Sequence, residues 1–181
     1  YRNNEPLPVE YNDAHAALRG FAVSNLTSSV VLSAGMNPAL YSYLEQWDDF
    51  FPDAKGHFGK KVILKVSDFR SALVQGKMLA KKGIWVSEYR VESGLNCGGH
   101  SFASQGNLMG PVLEEFKANR PFLVNTQFEM MKQALEAKGK ACPVMPPELR
   151  ISAQGGVGTA EEHAFLRNHY EIDSVGWGTP F

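Results

Sequence analysis

The residues best equipped for chemistry gather in the run Asn96-Cys97-Gly98-Gly99-His100. Gly98 and Gly99 carry no Cβ, so the backbone there can turn sharply or lie flat against a ligand, and His100 places an imidazole directly beyond them. Such a loop brings a flat cofactor and a base together. Taken alone, the same letters would also suit an ordinary glycine turn with a solvated histidine, so the neighbouring motifs carry weight. Gly155-Gly156-Val157-Gly158 runs into Thr159-Ala160-Glu161-Glu162, a capping-box pattern that starts a helix. A strand, a glycine turn and a helix N-terminus aim amide N–H groups and a helix dipole at an anion. Gly178-Thr179 forms a second glycine turn able to donate to the same phosphate. Lys65 is the one charge inside Val62-Ile63-Leu64-Lys65-Val66. Cys97 invites a reactive-thiol role, but cysteine is among the most often buried residues and packing is the simpler assignment.

Each of these residues follows or ends a strand. Ser29-Val30-Val31-Leu32-Ser33 reads as a buried strand, and Asn37-Pro38 supplies an N-cap and a first helical residue for a helix facing inward through Leu40, Tyr41, Leu44 and Trp47. Residues 62–66 are apolar enough for a parallel strand covered on both faces. Ser67 or Asp68 then caps a helix that Gly83 terminates, and residues 83–91 form the strand leading to His100. Beyond that loop the prolines predict two helices, a short one from Pro111 and a longer one from Pro121 to Gly139, followed by a Pro-rich connector over residues 142–147. Residues 149–154 and 172–177 complete the strands. Residues 1–20 read as an irregular lead-in with one helical turn near Ala14, and His15, His57, His163 and His169 as polar-loop or surface residues. Sequential β-α-β units with short loops imply a parallel sheet with right-handed crossovers. No G-x-G-x-x-G follows the first strand, which argues against a doubly wound dinucleotide fold.

Composition narrows the partners. At 181 residues, 44% hydrophobic and 20% charged, the chain suits one globular domain with a real core. A formal net charge of -1 with both signs scattered argues against nucleic acid and anionic membranes. No apolar run approaches the roughly 18 residues of a membrane span, and no secretory signal pattern opens the sequence. Cys97 and Cys142 lack the spacing of a metal or dithiol site, which fits a reducing cytoplasm and no bound metal.

The order of the motifs resembles the nitronate monooxygenase, or 2-nitropropane dioxygenase-like, family of FMN-binding β/α barrels. Members carry a lysine-bearing strand with an Arg-x-Ala helix, then E-A-G-G-H, A-A-G-G-I and M-G-T-R-F. Here the corresponding pieces are Leu64-Lys65-Val66-Ser67 with Arg70-Ser71-Ala72, Asn96-Cys97-Gly98-Gly99-His100, Ala153-Gln154-Gly155-Gly156-Val157 and Gly176-Trp177-Gly178-Thr179-Pro180-Phe181. Val31-Leu32-Ser33-Ala34-Gly35-Met36-Asn37-Pro38 is similar to the family's fourth strand and its turn. The likeness covers roughly residues 29–181. Cys97 stands where the family has Ala, Trp177 where Met is usual and Pro180 where Arg is usual, departures that point to an altered substrate pocket.

The resemblance implies an α/β fold of the (β/α)8 TIM-barrel type. Residues 1–181 would form a single domain contributing about strands four to eight, because a complete barrel typically needs about 250 residues. Residues 106–148 would be a helical insertion. It implies FMN as cofactor, with Lys65 at the N1/O2 edge of the ring, Gly98 and Gly99 close to the ring, and Gly155, Gly156, Gly178 and Thr179 holding the phosphate. His100 would be the base that removes an acidic proton. The implied activity is an FMN-dependent oxidoreductase or monooxygenase oxidising a small acidic carbon compound such as a nitronate. The expected partner is a small-molecule substrate, with a homo-oligomer left open. The residues also suit a flavin-dependent enoyl reductase-like enzyme, a phosphate-ligand-binding barrel without flavin, or a non-catalytic scaffold.

Overall fold

The computed structural model describes residue 5 and residues 7–92, 109–155 and 157–177. Five strands, β1 (Ser28–Leu32), β2 (Lys60–Val66), β3 (Val86–Glu92), β4 (Arg150–Gln154) and β5 (Ser174–Gly176), form one parallel sheet in sequential order. Between and before them lie α1 (Asp13–Ala22), α2 (Pro38–Leu44), α3 (Phe69–Ala80), α4 (Met109–Ala137) and α5 (Ala160–Tyr170). Each helix touches the next, from α1 to α5, so the helices make one layer on one face of the sheet. The fold is α/β. Among the described residues the sheet is open, with β1 and β5 at its edges.

Local chemistry sets the boundaries that matter. Asn37 Oδ1 accepts the Leu40 N–H at 3.0 Å, with Pro38 at the first helical position. At the start of α3, Asp68 Oδ1 accepts the Ser71 N–H at 2.6 Å. Burial alone would raise this carboxyl, but hydrogen bonds from Ser71 and Ser67 hold it below its ordinary value. The chain leaves α3 through Gly83 at φ +81, a conformation that costs glycine little. These caps fix where β2 ends and β3 begins.

The core lies between the sheet and the helix layer. Val62, Leu64 and Val66 of β2, Tyr89 and Val91 of β3, and Ile151 and Ala153 of β4 are all buried. They pack with Ala72 and Leu79 of α3 and with Leu113, Phe116, Leu123 and Met131 of α4. Tyr89 and Phe116 rings sit 6.4 Å apart. Tyr89 reaches so far that its hydroxyl occupies the space a Cβ on Gly76 would need. Burial pushes this phenol well above its ordinary pKa and keeps it neutral.

Several expectations change here. The lead-in holds a ten-residue helix, α1, capped by Asn12, whose Oδ1 accepts the His15 N–H at 3.0 Å. His15 is therefore buried, its ring 4.8 Å from that of Tyr43, and not in a polar loop. The two helices expected around Pro121 are one continuous helix, α4. Proline removes one intrahelical N–H, but Pro121 and Phe122 face solvent while Phe116, Leu123 and Phe128 bury the opposite side, so packing outweighs the lost bond. The third change concerns β2. Among the described residues helices cover only one of its faces, and Ile63 and Lys65 lie half-buried on the other.

Candidate functional site

The face away from the helices is polar, and its residues fall into rows set by strand register. Ile63, Glu88 and Arg150 are aligned, then Lys65, Arg90, Ser152 and Ser174, then Glu92, Gln154 and Gly176. The charges pair within this face. Lys65 Nζ lies 2.8 Å from Glu92 Oε2, and Arg90 donates to Glu88 Oε1 at 3.1 Å. Ser152 Oγ donates to the same Glu88 oxygen at 2.6 Å. A cavity of about 280 Å³ opens among Glu88, Arg90, Ser152, Gln154 and Ser174. Partly buried carboxylates and cations on a central part of a sheet are costly to desolvate, so an arrangement of this kind favours binding or chemistry over stability.

At the C-terminal ends of the strands, β4 and β5 meet through Gly155 and Gly176. The Gly155 N–H donates to the Gly176 carbonyl at 3.0 Å, extending the ladder one residue beyond the paired strands. Gly155 then turns the chain at φ +85. Gly155 thus contributes the turn, while its own N–H belongs to the sheet. At the start of α5, Thr159 Oγ1 accepts the Glu162 N–H at 3.1 Å, and Glu162 Oε2 accepts from Thr159 N at 3.0 Å and Gly158 N at 2.8 Å. The capping box is formed as its sequence predicts, with a carboxylate already seated on the amides of that helix end.

The expected site residues divide into two groups. Lys65 is on the open polar face and Gly155 at the β4–β5 corner. Cys97, Gly98, Gly99, His100, Gly156, Gly178 and Thr179 lie outside the described residues. His57 is exposed in its loop as expected, its ring 3.2 Å from Asp53. His163 is half-buried, and its Nδ1 accepts the Trp177 indole N–H at 3.0 Å, which couples α5 to the end of β5.

Sequence reasoning missed Glu88, Arg90, Glu92, Ser152 and Gln154. Their signal was present as alternation: Glu88-Tyr89-Arg90-Val91-Glu92 has a strict period of two, with apolar residues on one side. Among the described residues no group of three or more His, Cys, Asp or Glu is arranged to hold a metal ion. Nor is any described helix long and apolar enough to cross a membrane. Comparison with protein-family models and with curated proteins finds no match to this chain. Geometry and sequence pattern therefore carry the functional argument.

Proposed function

We propose that this chain is the FMN-binding portion of a β/α-barrel oxidoreductase that oxidises a small acidic carbon compound such as a nitronate. The observation that carries the reading is the β4–β5 corner, where Gly155, the glycine that turns the chain after β4, donates its N–H to Gly176 at the end of the adjacent parallel strand β5. Loops after consecutive late strands are where β/α barrels commonly hold a phosphate. The strand order gives further support. Doubly wound sheets reverse their order at the ligand crevice, whereas these five strands run in sequence with their helices in one layer, as neighbouring barrel strands do.

The residues at the corner suit a phosphate with one restriction. Gly155 and Gly176 add no side chain of their own, but Gly155 is buried, the Gln154 side chain lies against Gly176, and the amides of Gly155, Gly158 and Thr159 are engaged within the protein. The reading therefore assigns phosphate donation to Gly156, Gly178 and Thr179. Bound FMN would supply the electron-accepting centre of the reaction. Lys65 would hold its ammonium toward the electron-rich edge of the ring, with Glu92 fixing its position through the 2.8 Å pair. His100 would take the acidic proton of the substrate, a task suited to an imidazole near neutral pH.

The visible absorption spectrum of the purified protein, followed through a titration with FMN, tests the proposal. Flavin bands that are lost in a Gly156→Ala/Gly178→Ala double variant and persist in His100→Ala are the expected result. A colourless protein with no spectral response to FMN would remove the flavin reading and leave the corner to another phosphate ligand or to none.

A further inference from the structure

A cavity of about 710 Å³, within the range of small-molecule sites, opens at the other end of the sheet. It is entered at the N-terminal ends of the strands, where Thr27, Lys61, Ser87 and Glu148 stand at or just before β1, β2, β3 and β4. Its walls are the segments 54–58 and 143–148. These two segments lie side by side: a Cβ added on Gly56, at φ +83, would stand in ordinary contact with Pro143 Cβ at 3.6 Å. Pro143, Pro146 and Pro147 stiffen the second wall, so the space is formed in advance of any ligand.

Two polar groups at this cavity are unexplained by the fold. β2 and β3 pair Val62 with Val86 and Ile63 with Glu88, which leaves Ser87 as an extra residue in a β-bulge. Bulges re-aim side chains and are enriched near functional sites. The Ser87 hydroxyl is buried and has no hydrogen-bond partner among the described residues. A buried donor without a partner is costly, and each such group in a native protein needs an explanation. Lys61 is the second group. Its neighbour Lys60 is buried and fully engaged by the Ser24 and Leu26 carbonyls and by Asp49, whereas Lys61 makes no ion pair among the described residues.

We infer that this cavity is a second binding site, distinct from the glycine corner, and that it takes a small monocarboxylate carrying an apolar chain. Two lysines, Lys55 and Lys61, and one carboxylate, Glu148, line the cavity, with Asp53 just outside the lining on the His57 ring; the lining side chains carry one excess positive charge. That balance suits a monoanion. Lys61 and the Ser87 hydroxyl supply donors for the two carboxylate oxygens. Apart from Thr27 and His57 the remaining lining is apolar, including Phe58 and the prolines, and Val144 and Met145 are 92% and 74% exposed, available to an alkyl chain.

Isothermal titration of the full chain with decanoate, decanol and inorganic phosphate tests the assignment. Lys61 is exposed and Ser87 lies at a strand end, so Lys61→Glu and Ser87→Ala are expected to keep the wild-type far-ultraviolet circular dichroism and Tm. The expected result is saturable one-to-one binding of decanoate, with decanol and phosphate at least about tenfold weaker. Lys61→Glu should weaken decanoate at least about tenfold, as loss of a charge-assisted bond predicts, and Ser87→Ala by a smaller factor. Absence of saturable binding would overturn the inference. So would decanol or phosphate binding as well as decanoate, or decanoate affinity unchanged in a folded Lys61→Glu variant.

Discussion

The two faces of this sheet are made by the same strands and have opposite chemistry. On β2, Val62, Leu64 and Val66 point into the helix layer and are at most 1% exposed, while Lys61, Ile63 and Lys65 point the other way. On β3, Tyr89 and Val91 are buried between Glu88, Arg90 and Glu92. The covered face excludes water, and its one strand charge among the described residues, Lys60 at the start of β2, is buried and paired with Asp49 at 3.2 Å. The open face holds Lys65 with Glu92 and Arg90 with Glu88. Hydrophobic burial stabilises roughly in proportion to area, and partly exposed ion pairs add little. One face therefore holds the fold together, and the other is free to be selected for binding.

Neighbouring substitutions on β2 separate these roles most sharply. Leu64→Ala removes a fully buried side chain and is expected to cost about 3 kcal/mol. Ile63→Ala, one residue earlier on the opposite face, is expected to cost about 1 kcal/mol, since its side chain is only half-buried. Urea unfolding of both variants, with unchanged m-values, measures the contrast. Equal costs would mean that the open face is as well covered in solution as the other, which would break the comparison.

Sequence alone displayed much of this frame. Asn37-Pro38, Asp68, Gly83 and the Thr159–Glu162 box each mark a boundary through local hydrogen bonding or backbone freedom, so each was legible without tertiary information. Pro121 misled because its penalty is local while the gain from burying Phe116, Leu123 and Phe128 on one helix is not. The candidate site was legible in types and not in partners. Lys65 stood out from its apolar neighbours, yet its pairing with Glu92 depends on the β2–β3 register, which the Ser87 bulge shifts. Gly155 was visible as a turn; that its N–H belongs to the β4–β5 ladder follows only from the pairing.

The support that α3 gives to β2 has a pH signature. Asp68→Ala should destabilise the protein by about 1 kcal/mol at neutral pH through loss of the cap. Because the folded-state carboxyl sits below its ordinary value of 3.8, its contribution is present above that value and lost as pH falls through the lower folded-state pKa. Urea midpoints should therefore differ between wild type and variant at pH 7 and converge at strongly acidic pH. A constant difference across that range would assign the effect to helix propensity instead.

On the open face, stability and function should separate. Glu92→Gln removes the carboxylate beside Lys65 and is expected to change stability by less than about 1 kcal/mol, since the pair is partly exposed. If Lys65 faces a flavin, the same change frees its charge to favour the reduced ring, and the midpoint potential of bound FMN should rise. Lys65→Met should lower it. Potentials that do not move in either variant would remove Lys65 from the flavin's surroundings while leaving the structural contrast between the faces intact.

The smallest effect concerns the carboxylate seated on α5. Glu162→Ala breaks the capping box and frees the amides of Gly158 and Thr159, while Thr159 can still cap from its hydroxyl; the expected cost is about 0.5 kcal/mol. Its value lies in what happens to FMN. If FMN binds with its phosphate held by Gly156, Gly178 and Thr179, its dissociation constant should stay within about twofold of wild type. A tightening of about tenfold would instead show that the phosphate competes with Glu162 for the helix end. The anion site would then belong to α5 and not to the corner between β4 and β5.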